Sequence, residues 1–166
     1  MLSSDFFDRY VKLPGTKPPA TTEQVEFVTK AFGRPVPDTL RSVWLAGAEC
    51  WTEVPVQSPT HSVECASLFP VWAENGWIPF ATDGFGNSFL AVPTPVGDVV
   101  CFQDIGFDPP EVLLEVSCST IDRFFEIWIE IVERDEAGYF VEEFARKDPT
   151  TANAARYVER WLKKNG

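Results

Sequence analysis

Residues 77–92 read WIPFATDGFGNSFLAV, two apolar runs separated by a short segment of glycine and polar residues. Glycine adopts the positive φ that a tight connection needs, and Asp83 and Asn87 can hydrogen-bond the neighbouring backbone. The stretch therefore predicts a β-hairpin with a polar tip. We consider the tip a candidate binding site, with turn formation as the alternative role of Asp83 and Asn87.

Short apolar runs separated by proline surround this hairpin. Their spacing favours a mainly antiparallel sheet, with strands predicted at residues 54–56, 66–72, 78–81, 88–92 and 98–102. Ahead of the strands, Thr21 and Gln24 have the spacing of a capping box for one helix, and Pro37 and Asp38 can begin a second helix that ends at Gly47.

The segment after the strands contains the strongest helical pattern in the chain. Ser119 is expected to cap this helix, whose apolar stripe should pack against the sheet, and further helices are predicted at residues 140–146 and from Thr151 onward. The prediction is an α+β fold with a mainly antiparallel central sheet. We interpret residues 1–20 as an aromatic leader and linker, 21–134 as the main domain, and 135–166 as a helical extension packed on the same domain.

The formal net charge of the 166 residues is −11. Nucleic acid and anionic membrane surfaces are themselves negative, so the charge argues against both and favours a cationic partner. Residues 111–148 hold eleven acidic and four basic side chains, although a solvated helical face is the alternative explanation of that excess.

Cysteine and metal-ligand patterns are sparse. The four cysteines form no CxxC pair and lie near no histidine cluster, so we predict buried free thiols at Cys50, Cys65, Cys101 and Cys118. No cofactor or metal is expected. The sequence begins without a signal-peptide pattern, and no apolar segment approaches the roughly 18 residues that cross a bilayer, so a cytoplasmic protein is predicted.

Two further groups of residues are candidates for a partner-binding site. Glu49, Trp51 and Glu53 form an acidic and aromatic cluster, and Asp104 and Asp108 lie in a loop that can reach the same rim. Core packing is the alternative for Trp51, since most tryptophans serve packing.

Catalysis by these residues is the competing interpretation. Asp83 with Glu49 or Glu53 can act as the acid and base of a hydrolase if they are held at a suitable separation. The single histidine, His61, is interpreted as a residue of a surface loop, although three potential nucleophiles are close in sequence: Ser58, Ser62 and Cys65.

Four segments together resemble the SUKH superfamily. They are VPDTLRSVWL at 36–45, WIPFATDGFGNSFLAV at 77–92, GDVVCF at 97–102 and STIDRFFEIWIEIV at 119–132. The chain departs from the family pattern at 46–48 and 91–92, where members commonly have an Asn-Gly pair and an acidic residue. The resemblance implies a non-enzymatic protein-binding domain. In bacteria such domains are chiefly immunity proteins that neutralise secreted toxins, and in fungi they regulate cell-wall synthesis.

The leading hypothesis is therefore an immunity-type inhibitor that binds a basic toxin, such as a nuclease whose own surface attracts phosphate. A regulatory scaffold for endogenous proteins is one alternative, and a carboxylate-dependent hydrolase is another. Exposed aromatic residues or the C-terminal extension can also support a homodimer.

Overall fold

The chain has an α+β fold in which helices precede and follow an antiparallel sheet. The computed structural model describes residues 1–52, 54–106, 115–134, 140–148 and 150–151. Its elements, in chain order, are α1 (Ser4–Tyr10), α2 (Thr22–Ala31), α3 (Asp38–Ala46), α4 (Pro59–Leu68), α5 (Pro70–Asn75), β1 (Ile78–Thr82), β2 (Ser88–Thr94), β3 (Gly97–Gln103), β4 (Glu115–Cys118), α6 (Ile121–Arg134) and α7 (Phe140–Lys147).

The sheet is a four-stranded meander in the order β1-β2-β3-β4, and every neighbouring pair is antiparallel. The predicted hairpin and the strand that follows it are confirmed, whereas β4 was not predicted. Three isolated bridges continue the sheet beyond β1, from Ala81 to Val56, from Val56 to Cys50 and from Cys50 to Thr16. The expected strand at 54–56 is thus a single bridge at Val56.

The strand predicted at 66–72 is wrong, because this segment belongs to α4 and α5. Ser58 caps α4 by accepting a hydrogen bond from the His61 backbone N–H, and Pro59 and Pro70 stand at the first positions of the two helices. Proline is well suited to that position, since the first turn of a helix needs no N–H donor there. His61 accordingly lies in the first turn of a helix and not in a loop.

The helices on either side of the sheet follow the predictions more closely. The capping box of α2 is confirmed, and Val43 and Trp44 of α3 are fully buried. The cap of α6 is Thr120 and not Ser119: the Thr120 hydroxyl accepts the Arg123 backbone N–H at 3.1 Å. The predicted helix at 140–146 is confirmed as α7. The helix predicted from Thr151 onward extends over residues 152–166, which lie outside the described ranges.

Residues 1–20, expected to be a leader and linker, include α1, which packs in the core. Phe6 and Tyr10 are buried, and the Tyr10 ring meets Trp128 of α6 edge to face, with centroids 5.8 Å apart. Arg9 donates a hydrogen bond from Nε to Glu133 at 2.8 Å. The N-terminal segment is therefore attached to α6 by both apolar and charged contacts.

Phenylalanine rings form the centre of the core between the sheet and the C-terminal helices. Phe124 of α6 contacts Phe80 of β1, Phe89 of β2, Phe125 and Phe144 of α7, with ring centroids 4.5 to 5.4 Å apart. All five side chains are fully buried. Within the described ranges, no helix combines the length and apolarity needed to cross a bilayer.

Candidate functional site

The turn between β1 and β2 is built by the side chain of Asp83. Its Oδ1 accepts the backbone N–H groups of Phe85 at 2.9 Å and Asn87 at 3.2 Å. Its Oδ2 accepts an N–H of the Asn87 side-chain amide at 2.7 Å. Gly84 and Gly86 have φ values of 79° and 100°, which favour glycine. Asp83 and Asn87 therefore fix the shape of the turn, and the side chain that the turn presents is Phe85, 90% exposed.

Asn87 also joins this turn to the loop that follows β3. Its Oδ1 accepts the backbone N–H of Ile105 at 3.1 Å. In that loop the Asp104 carboxylate accepts the Gly106 backbone N–H at 3.0 Å. The two predicted candidates Asp83 and Asp104 are thus brought to one end of the sheet, on loops that are hydrogen-bonded to each other.

Trp51 and Glu49 lie on the solvent side of the segment that bridges to Val56. Side chains alternate along an extended segment, so these two project outward while Cys50 between them is fully buried. Trp51 is 64% exposed, and its indole N–H donates to Glu49 Oε1 at 2.6 Å. The alternative of core packing for Trp51 is therefore wrong.

The loop that carries Trp51 is anchored to β1 and to the helices. The Thr82 backbone N–H donates to the Pro55 carbonyl at 3.0 Å, and the buried Trp128 indole donates to the Val54 carbonyl at 2.8 Å. Because Val56 pairs antiparallel with both Cys50 and Ala81, this loop and the β1–β2 turn emerge at the same end of the sheet. We call this surface the turn face, formed by Glu49, Trp51, Asp83, Phe85, Asn87 and Asp104.

Two predicted candidates, Glu53 and Asp108, lie outside the described residues. Phe85 was not among the predicted site residues. The signal that points to it is its position between two glycines at the tip of a short hairpin, where an apolar side chain has no core to enter.

Many acidic side chains of α6 and α7 are engaged with basic ones. Glu133 pairs with Arg9, Glu126 with Arg123, and Glu130 with Arg134 and Lys147. By contrast, no ion pair of the described residues involves Glu49, Asp83 or Asp104. Because both Asp83 oxygens accept hydrogen bonds within the turn, the carboxylates of Glu49 and Asp104 are the better placed to meet an external cation.

The potential nucleophiles near His61 are used elsewhere. The Ser62 hydroxyl is buried and donates to the Pro79 carbonyl at 2.6 Å, while Ser58 caps α4. Burial raises the pKa of the Cys65 thiol to about 11. The His61 ring lies 3.6 Å from Glu64 of its own helix. This geometry activates no nucleophile among these four residues.

A cavity of about 260 Å³ lies at the opposite end of the sheet, beside the β2–β3 turn and the first turns of α3 and α6. Two acidic side chains of its lining have internal partners: Asp98 pairs with Arg34 at 2.6 Å, and Asp122 accepts the Thr39 hydroxyl at 3.0 Å. Comparison of the chain with models of protein families and with curated proteins finds no match. The turn face is therefore assigned on its geometry alone.

We expect Asp83→Ala to lower the free energy of unfolding by about 1–2 kcal/mol, because three hydrogen bonds that close the turn are lost. Thermal unfolding measures the change, with the exposed Asp8→Ala as the control. Unfolding of Asp83→Ala at the temperature of the parent protein would show that the carboxylate is dispensable to the turn.

Proposed function

We propose that this chain is a non-enzymatic protein-binding domain of the immunity type, which binds and occludes a basic toxin through the turn face. The observation that carries the proposal is the exposure of two aromatic side chains, Phe85 and Trp51, at one end of the sheet, beside carboxylates that form no ion pair with the described residues. Both rings project from loops that hydrogen bonds hold in place. Binding then requires little ordering of the chain, which favours affinity.

The composition of the turn face supports its proposed role as a protein interface. Aromatic residues are enriched in interface cores, and the residues whose truncation costs the most binding energy are often tryptophan, tyrosine or arginine. Phe85 and Trp51 would supply the apolar anchors, with Glu49 and Asp104 near them. Both carboxylates are on loops, where a partner can approach them directly.

The charge of the whole chain supports a basic partner. A net charge of −11 speeds encounter with a cationic protein and disfavours nucleic acid as the ligand. A toxic nuclease must itself be basic where it holds phosphate, so an acidic inhibitor is complementary to it. The resemblance to the SUKH superfamily supports the same class of function.

The proposal is tested by binding the purified protein to the individually purified products of genes adjacent to its own. We expect one basic product to bind and to lose its toxic activity in the complex, with weaker binding when salt is raised from about 0.1 M to 1 M. Retention of several endogenous, non-toxic proteins would favour the regulatory scaffold. Absence of any partner among these products would contradict the immunity function.

With the partner in hand, we expect Phe85→Ala and Trp51→Ala each to weaken binding about tenfold or more, which is about 1.4 kcal/mol. Isothermal titration calorimetry measures the affinities. The matched control is Phe27→Ala, which removes an exposed ring from α2 and should leave affinity unchanged. Equal binding by the parent and both turn-face variants would exclude this surface.

A further inference from the structure

The Trp51–Glu49 pair on the turn face presents an aromatic face and a carboxylate side by side. The indole N–H is bonded to Glu49 Oε1, which places the carboxylate at the edge of the ring. In the described part of the chain, neither a cation nor a second ring covers the indole, and no donor is bonded to Glu49 Oε2. Both groups are thus free to meet one external ligand.

We propose that Trp51 and Glu49 form a receptor for a guanidinium group, the side chain of an arginine on the partner. A planar guanidinium stacks on an indole face through cation–π attraction and at the same time donates N–H bonds from its edge to a carboxylate. The ammonium of lysine is a strongly hydrated point charge and cannot do both as well. The inference rests on the proposed function and names the group that the turn face recognises.

The backbone under this pair is held from both sides. Lys17 N–H donates to the Glu49 carbonyl at 2.9 Å, and Trp51 N–H donates to the Gly15 carbonyl at 3.4 Å. A Cβ atom at Gly15 would lie 2.8 Å from the Trp51 carbonyl oxygen, so glycine permits this close approach. On the other side, Cys50 and Val56 exchange two hydrogen bonds of 3.0 Å. The receptor is therefore largely preorganised, which reduces the entropy lost on binding.

The test uses argininamide as the probe and follows the indole N–H signals of the ¹⁵N-labelled protein by NMR. Trp51→Phe identifies the Trp51 signal. We expect argininamide to shift this signal in a saturable way at tens of millimolar, the range for one exposed cation–π contact with one exposed ion pair. Citrullinamide, which has nearly the same shape without the charge, should bind at least about threefold more weakly. Lysinamide should also bind more weakly than argininamide.

Glu49→Gln tests the contribution of the carboxylate. We expect it to weaken argininamide binding by about threefold to fivefold, the effect of an exposed charge pair. The matched control is Glu74→Gln on the exposed side of α5, which should leave the titration unchanged. Equal shifts with citrullinamide, equal shifts of all the indoles, or an unaltered titration in Glu49→Gln would each overturn the inference.

Failure of this inference is distinguishable from failure of the proposed function, because the titration needs no partner protein. If argininamide does not bind at Trp51 while a basic toxin is retained and depends on Phe85, the arginine receptor is wrong and the inhibitor function stands. If the adjacent gene products do not bind, the inhibitor function is wrong, whatever the titration shows.

Discussion

Phe124→Ala is expected to lower the free energy of unfolding by about 3–5 kcal/mol, the largest loss that we predict for one substitution. The ring is fully buried and contacts four others, including a stacked contact with Phe144 at 4.5 Å. Truncation removes these contacts and leaves a cavity that the sheet and two helices cannot close. Against a total stability of about 5–15 kcal/mol, the variant unfolds at a much lower temperature or denaturant concentration.

Two other variants make this result interpretable. Phe124→Leu retains most of the volume and should lose clearly less, about 1–2 kcal/mol, so the order remains measurable if the alanine variant does not fold. Phe27→Ala removes a half-exposed ring from α2 and should change stability by less than about 1 kcal/mol. A loss at Phe124 no larger than that at Phe27 would contradict the central position of the phenylalanine cluster.

Asp148→Ala is expected to cost about 2–4 kcal/mol, because a buried carboxylate with four hydrogen bonds is removed. Asp148 follows α7 and accepts the backbone N–H and hydroxyl of both Ser119 and Thr150, at 2.6 to 3.0 Å. It thereby ties the end of α7 to the junction between β4 and α6. Urea unfolding measures the loss, and Asp8→Ala, at an exposed position of α1, is the control.

The effect of Asp148 depends on pH in a defined direction. Burial disfavours its charge, but the hydrogen bonds from Ser119 and Thr150 outweigh this and hold the pKa of the carboxyl below its ordinary value of 3.8. A lowered pKa in the folded state stabilises the protein at pH values above the unfolded pKa, and this stability is lost as the pH falls through the folded pKa. The difference in free energy of unfolding between the parent and Asp148→Ala should therefore be constant near neutral pH and become smaller below about pH 4. A difference in free energy of unfolding that grows in acid would contradict a lowered pKa of Asp148 in the folded protein.

The sequence predicted the structure correctly where residues that are neighbours in the chain determine it. The capping box at Thr21 and the turn at Asp83 are made by residues within four positions of each other, and both are confirmed. The strand predicted at 66–72 was wrong because proline marks both strand boundaries and helix starts, and because Ser58 was not recognised as the cap of α4. Ser119 was wrongly predicted to cap α6, because its hydroxyl donates a hydrogen bond to Asp148, 29 residues later, and Thr120 is the cap.

The candidate site was predictable in part for the same reason. Glu49 and Trp51 share a face because side chains alternate in an extended segment, and Cys50 between them is buried, as predicted from the sequence. That the Trp51 loop, the Asp83 turn and the Asp104 loop meet at one end depends on strand pairing across the sheet. Phe85 was missed because aromatic residues are most often assigned to the core.

The contact between α1 and α6 imposes an order on folding during synthesis. Arg9 and Glu133 are 124 residues apart, so at about 5–20 residues per second the ribosome adds the second partner roughly 6–25 seconds after the first. The β1-β2-β3 meander pairs neighbouring segments and can form as soon as it leaves the ribosome. Phe6 and Tyr10 meet their α6 neighbours Phe125 and Trp128 only after α6 has been synthesised, so burial of the N-terminal helix is completed late on the nascent chain.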